Sequence, residues 1–301
     1  MKLRPPRDDD FDAVLELMNA HQLAAFGETA VTADDLRTWL TTPYVDVERD
    51  IRILERDGRL VAYADVDSDR DDPPVWWCDV KVAPDADADA VVPELVAWLD
   101  RRAAVGRLRV WTAETDERVV AAFSALGFEA VRHSYRMEID LDRDVRAPVW
   151  PDGISVRNAT TADHRAVHEA VVEVWRDTND HYDETFEEWA HWNVERESYD
   201  PGLWFLAEAG AELAGFAICR RDDVDPSAGY VGSLGVRRPW RRQGLGEALL
   251  LRSFQAFRER GWKRATLGVD ASSPTGATRL YERAGMRVYR DTVFLERPVR
   301  C

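Results

Sequence analysis

The stretch Val231 to Leu251, VGSLGVRRPWRRQGLGEALLL, reads as a buried strand, a basic turn with two glycines, and an amphipathic helix. The strand half, Tyr230 to Val236, is apolar with small residues between, and the cations Arg237, Arg238, Arg241 and Arg242 follow at once. In a chain of formal net charge −16, this local reversal of sign points to an anionic ligand. Gly244 and Gly246 then open the helix. A glycine-led helix N-terminus leaves backbone N–H groups without partners, and the missing Cβ lets a phosphate approach them. Two phosphate-loop patterns are excluded. No Lys-Ser or Lys-Thr pair completes a G-x-x-x-x-G-K-[ST] loop, and Glu247-Ala248-Leu249 after Gly246 lacks the third glycine of G-x-G-x-x-G.

At 301 residues the chain is about twice the usual domain size, and 45% apolar residues are enough to fill two cores. The acidic balance argues against nucleic acid as a partner, because phosphate-backbone binding needs cations over a broad face. Cys78, Cys219 and Cys301 are far apart and lack metal-ligand spacing, so neither a metal nor a disulfide framework is expected. No signal peptide and no apolar run of about 18 residues stands out, which makes a soluble cytoplasmic protein with no membrane partner the expectation.

The chain repeats itself. Arg4-Pro-Pro-Arg-Asp-Asp-Asp-Phe-Asp-Ala-Val and Arg157-Asn-Ala-Thr-Thr-Ala-Asp-His-Arg-Ala-Val share Arg, Asp and Ala-Val at an offset of 153 residues. The same offset relates Leu60 to Leu213, in two segments that follow hairpin glycines at Gly58 and Gly210. Further on, Phe123 aligns with Tyr281 in Ala-Phe-Ser-Ala-Leu-Gly-Phe and Leu-Tyr-Glu-Arg-Ala-Gly-Met, a drift that small indels explain. The charged, proline-bearing segment Leu141 to Gly153, LDRDVRAPVWPDG, shows no period and is the expected boundary, giving domains 1–145 and 146–301.

In the second copy a strand at Ile154 to Arg157 precedes a helix at Ala162 to Trp175, with Asp163 as capping residue, and a short helix at Phe186 to Val194. Strands at Trp204 to Ala207, Leu213 to Cys219 and Tyr230 to Val236 lead to the helix at Gly244 to Arg260. A strand at Ala265 to Val269, a helix at Thr275 to Arg283 closed by Gly285, and a final strand follow. This order gives an α/β class with a mixed sheet in each copy.

Arg241-x-x-Gly244-x-Gly246 after a Val-containing strand, followed by Ser273-Pro-Thr-Gly-Ala-Thr-Arg-Leu-Tyr281-Glu-Arg-Ala-Gly, resembles the coenzyme A loop and last helix of the GCN5-related N-acetyltransferase (GNAT) superfamily. The tandem layout is similar to that of mycothiol-synthase-type two-domain enzymes. Ser273 stands where the family often has Asn. The resemblance implies acetyl-CoA as cosubstrate and acetyl transfer to a small-molecule amine within a ternary complex. It further implies that backbone N–H groups from Arg242, Gln243, Gly244, Leu245, Gly246 and Glu247 hold the pyrophosphate, with Arg241 and Arg242 adding charge. Leu234, Gly235 and Val236 would pair with the pantetheine arm and polarise the thioester carbonyl. Tyr281 would protonate the departing thiolate.

The first copy departs from that pattern. Where the basic glycine loop should recur stands Asp85-Ala-Asp-Ala-Asp-Ala, and Phe123 replaces the tyrosine. A pyrophosphate would there meet like charge and Cβ atoms, so the first copy is expected not to bind coenzyme A in the usual place.

No spacing signature marks a general base. Glu208, Tyr230, Ser233, Asp177, His181 and Asp183 are candidates, and water could also accept the proton. The segment Trp175 to Glu184, WRDTNDHYDE, offers Trp175, Asp177, His181 and Tyr182 either as an acceptor wall or as a polar helix connection with Trp packed inward. A non-catalytic acetyl-CoA sensor is the alternative to an enzyme, and the intact Tyr281 and loop favour the enzyme.

Overall fold

The computed structural model describes every residue except 30, 68–73, 143–144, 180–182, 224 and 301. Two compact units emerge: Met1–Ser134 joined by Arg290–Cys301, and Tyr135–Tyr289. This division corrects the boundary expected between residues 145 and 146. The cause is the final strand, whose last residues, Thr292 to Pro298, pair antiparallel with Ala113 to Arg107 of the first unit.

The first unit runs β1 (Lys2–Arg4), α1 (Phe11–Phe26), α2 (Ala33–Leu40), α3 (Val47–Asp50), β2 (Ile51–Arg56), β3 (Arg59–Asp67), β4 (Val75–Val82), α4 (Ala88–Ala103), β5 (Arg107–Ala113), α5 (Glu117–Ala125) and the start of β6 (Glu129–Asp140). The second runs β7 (Ile154–Asn158), α6 (His164–Trp175), α7 (Phe186–Asn193), β8 (Trp204–Ala209), β9 (Glu212–Arg221), β10 (Ala228–Val236), α8 (Leu245–Glu259), β11 (Arg264–Asp270), α9 (Ala277–Arg283) and the start of β12 (Arg287–Pro298). Strand order is β1-β2-β3-β4-β5-β12 in the first unit and β6-β11-β10-β9-β8-β7 in the second. β4 with β5 and β10 with β11 are parallel, each bridged by a long helix, and the hairpin-linked neighbours are antiparallel. The α/β class with a mixed sheet is therefore present in both units.

The starts of α1, α2, β2 and β3 lie 153 residues before those of α6, α7, β8 and β9, and the side chains keep the offset too. Arg4 binds Asp10 and Glu55, and Arg157 binds Asp163 and Glu208, tying the first strand of each unit to its neighbour and to the turn before the first long helix. Thr32 with Asp35 and Thr185 with Glu188 form matching capping boxes at α2 and α7. Asp163 makes no side-chain cap bond to α6 itself; its carboxylate accepts from the Thr160 N–H and from Arg157, and caps the preceding 3-10 turn. Two cores sandwich the second sheet. α8 and α9 cover one face around Leu249, Phe254 and Phe257, and α6 and α7 cover the other around Val167, Trp189 and Phe216.

Candidate active site

The site is built where β10 and β11 part. Their parallel pairing ends at Val231 and Leu267, yet β10 continues to Val236 and β11 to Asp270. On its other side β10 stays paired with β9 through Val236, with a register shift between Val231 and Ser233. Gly232 is thus a bulge residue, which bends β10 away from β11. The ladder between β3 and β4 of the first unit runs without any such shift, and its parallel pairing to β5 reaches Asp79. A Cβ on Gly229 would strike Phe257 of α8, so Tyr230 points to the opposite face. Beyond the bulge, Ser233 and Gly235 share that face, where a Cβ on Gly235 would lie 2.3 Å from the Phe216 ring.

The loop after β10 turns through two left-handed residues, Arg242 at φ 63° and Gly244 at φ 85°. Gly244 leads α8 without any side-chain cap. Among the described residues, no acceptor takes the N–H groups of 242–247, and the first bond at this end is Ala248 N–H to the Gly244 carbonyl. Unpartnered N–H groups at the start of a 15-residue helix form an anion cradle. The matching end of α4 is closed: Asp87 caps it by accepting from the Asp89 N–H, and Asp85 is held by Arg59.

Arg241 is fixed in two directions, donating Nε–H to the Val236 carbonyl at 2.8 Å and pairing with Asp177 at 2.7 Å. Arg238 joins the same carboxylate. Hydrogen bonds from Arg238 and then Arg241 hold the Asp177 carboxyl well below the usual range. Asp177 therefore braces the basic loop through both arginines. Arg242 is exposed, Gln243 donates to the Pro239 carbonyl, and Glu247 is met by Arg146 at 2.9 Å. Leu245 is buried against the sheet, and a Cβ on Gly246 would meet only ordinary contacts with Leu280 and Val236.

Tyr281 sits on α9 within the cluster formed by α8 and the sheet. Burial, with a smaller contribution from Tyr230, pushes its phenol up to about 12. Tyr230 lies between two guanidiniums, Arg136 at 4.6 Å and Arg220 at 4.5 Å from its ring, neither of which the sequence marked. Trp175 is 45% exposed and donates to the Ser233 hydroxyl at 3.3 Å, so it borders the same face as Tyr230 instead of packing inward. Asn179 reaches Asp270 at the end of β11, while the Ser273 hydroxyl meets the Thr275 hydroxyl at 2.9 Å. Asp183 pairs with Arg176. Glu208 is removed from this cleft: β9 separates its strand from β10, and Arg157 holds it as Arg4 holds Glu55. His181 and Tyr182 lie outside the described residues. Of groups with metal-ligating side chains, Glu114, His133 and Asp291 of the first unit bring their ligand atoms within 4.8 Å of one another, and the His133 ring is already 2.9 Å from Asp291. No described helix is long and apolar enough to cross a membrane.

The acetyltransferase (GNAT) family model matches residues 165–286, all within the second unit. A crystal structure of a GCN5-related N-acetyltransferase from Sphaerobacter thermophilus superposes with a TM-score of 0.78 at 29% identity, covering 100% of this chain and 96% of that one. This chain is a tandem GNAT protein. The fold of another tandem GNAT protein, from the clavulanic acid biosynthesis pathway, matches with a TM-score of 0.79 at 19% identity over 100% of this chain and 99% of that one. Among curated relatives of this tandem GNAT protein, the mycothiol acetyltransferase of Thermobispora bispora is 30% identical over 190 residues, 59% of this chain. That match spans 61% of the relative's own length.

Proposed function

We propose that the second unit transfers an acetyl group from acetyl-CoA to a primary amine of a small molecule. The observation that carries this reading is the uncapped N-terminus of α8 opening beside the unpaired edge of β10, with the Tyr281 phenol buried under the same sheet. In this reading the N–H groups of 242–247, with Arg241 and Arg242, take the pyrophosphate, and the free edge at Leu234, Gly235 and Val236 pairs with the pantetheine arm. The amine nitrogen attacks the thioester carbon, whose oxygen is stabilised by a β10 N–H. The C–S bond then breaks, the thiolate takes the Tyr281 proton, and the amine gives up its own proton to water or to a group beside Tyr230 and Ser233. The relatives' name supports a small-molecule acceptor, and the buried free thiols of Cys78 and Cys219 suit the cytoplasm.

A thiol-release assay with acetyl-CoA and a panel of small amines tests the reading. Release that depends on a particular amine is expected. Tight acetyl-CoA binding with no amine-dependent release from any acceptor would favour a sensor instead.

A further inference from the structure

The first unit contains a cavity of about 470 Å³. It lies between the start of α1 and α2, with Phe11, Val14, Leu36, Leu40 and Val47 as apolar walls and Tyr63 as its floor. The 153-residue repeat supplies an internal control. Phe11, Leu36, Ile51 and Tyr63 correspond to His164, Trp189, Trp204 and Phe216. In the second unit those residues fill the equivalent space with rings: Trp189 and Trp204 are fully buried, 5.6 Å apart, and His164 stands 5.6 Å from Trp204. One scaffold therefore buries an indole, Trp189, in one copy where Leu36 lines an opening in the other.

The size falls within the range of about 300–1,000 Å³ usual for small-molecule pockets. Its lining is charged only where it meets solvent. Arg7 and Arg37 are exposed lining residues that bring two guanidiniums to the mouth, beside the carboxylate of Asp8. Arg37 lies 5.9 Å from the Phe11 ring, and its Nη1 pairs loosely with Asp34 at 4.0 Å on an exposed side chain, a contact that a bidentate planar anion would have to compete with. The floor is rigid. Tyr63 donates to Asp65 at 2.6 Å and accepts from the Trp39 indole N–H at 3.0 Å.

We propose that this cavity binds an aromatic carboxylate, its ring between Phe11, Leu36 and Tyr63 in the place of the second unit's Trp189 indole and its carboxylate at Arg7 and Arg37. Such a ligand is neither the acetyl donor nor the amine acceptor of the second unit. Indole-3-propionate titrated into the full chain by calorimetry is the test. Saturable binding is expected, weakened at least tenfold for the neutral indole-3-propionamide and for Arg37→Gln, and abolished by Leu36→Trp. That last variant installs the residue that the second unit already carries at this point, so its thermal midpoint should hold or rise. No binding to the native chain, full binding by Leu36→Trp, or equal affinity for acid and amide would each overturn the proposal.

Discussion

Tyr281→Phe deletes one oxygen and keeps the ring in the cluster around α9, so it separates proton donation from packing. Turnover should fall about ten- to a thousandfold, with acetyl-CoA affinity within about twofold of native. Because burial lifts the phenol to about 12, it stays protonated at neutral and mildly alkaline pH. The pH profile of native turnover should then show no alkaline fall from this group below about pH 10. The sign for stability is the same. A raised phenol pKa stabilises the fold fully below about 10, and that contribution disappears as pH climbs through 12. The place of Tyr281 on α9 was legible in the sequence because its motif sits one helix and one strand beyond the glycine loop. Glu208 shows what single-copy reading misses. Nothing about it alone separates a base from a strut, but Arg4, Asp10 and Glu55 repeat as Arg157, Asp163 and Glu208 at one offset, and the copy without a glycine loop keeps all three.

At the scale of the element, β10 depends on a glycine with two demands on it. Gly235 has an edge open toward β11, and its missing Cβ makes room for Phe216 from the neighbouring strand. Gly235→Ala should cost about 1–3 kcal/mol of stability through overpacking, read as a lower midpoint in scanning calorimetry. Adding Phe216→Leu should recover part of that loss although it destabilises the native background; equal losses in both backgrounds would dissociate the two residues. The first unit solves the same crossing differently, with Lys81 opposite Tyr63, held by Asp79 and lying 3.4 Å from the Trp111 ring. Helix and strand limits in the second unit were readable from apolar period and glycine punctuation. The bulge at Gly232 was not, because apolar alternation around Val231 and Leu234 continues plausibly in either register. Only hydrogen-bond pairing distinguishes them.

For the molecule as a whole, the contrast between an uncapped α8 and a self-capped α4 leads to a stoichiometry. Acetyl-CoA should bind the full chain once, and Arg241→Gln should weaken that single event about tenfold, a loss of ~1.4 kcal/mol. A second site in the calorimetric isotherm, unaffected by Arg241→Gln, would place a cofactor in the first unit. The duplication itself was visible in the sequence, as was the loss of the first loop's cations. The true limits of the units were not, since a boundary sought in a polar linker cannot reveal that a strand encoded at the far end completes the sheet of the first half. That strand also reverses the usual vectorial order of maturation on the ribosome. Tyr135–Tyr289 is continuous and can close as soon as it has emerged, whereas the unit that begins at Met1 lacks its β5 neighbour until Thr292 to Pro298 has been made. The half translated first is the half finished last.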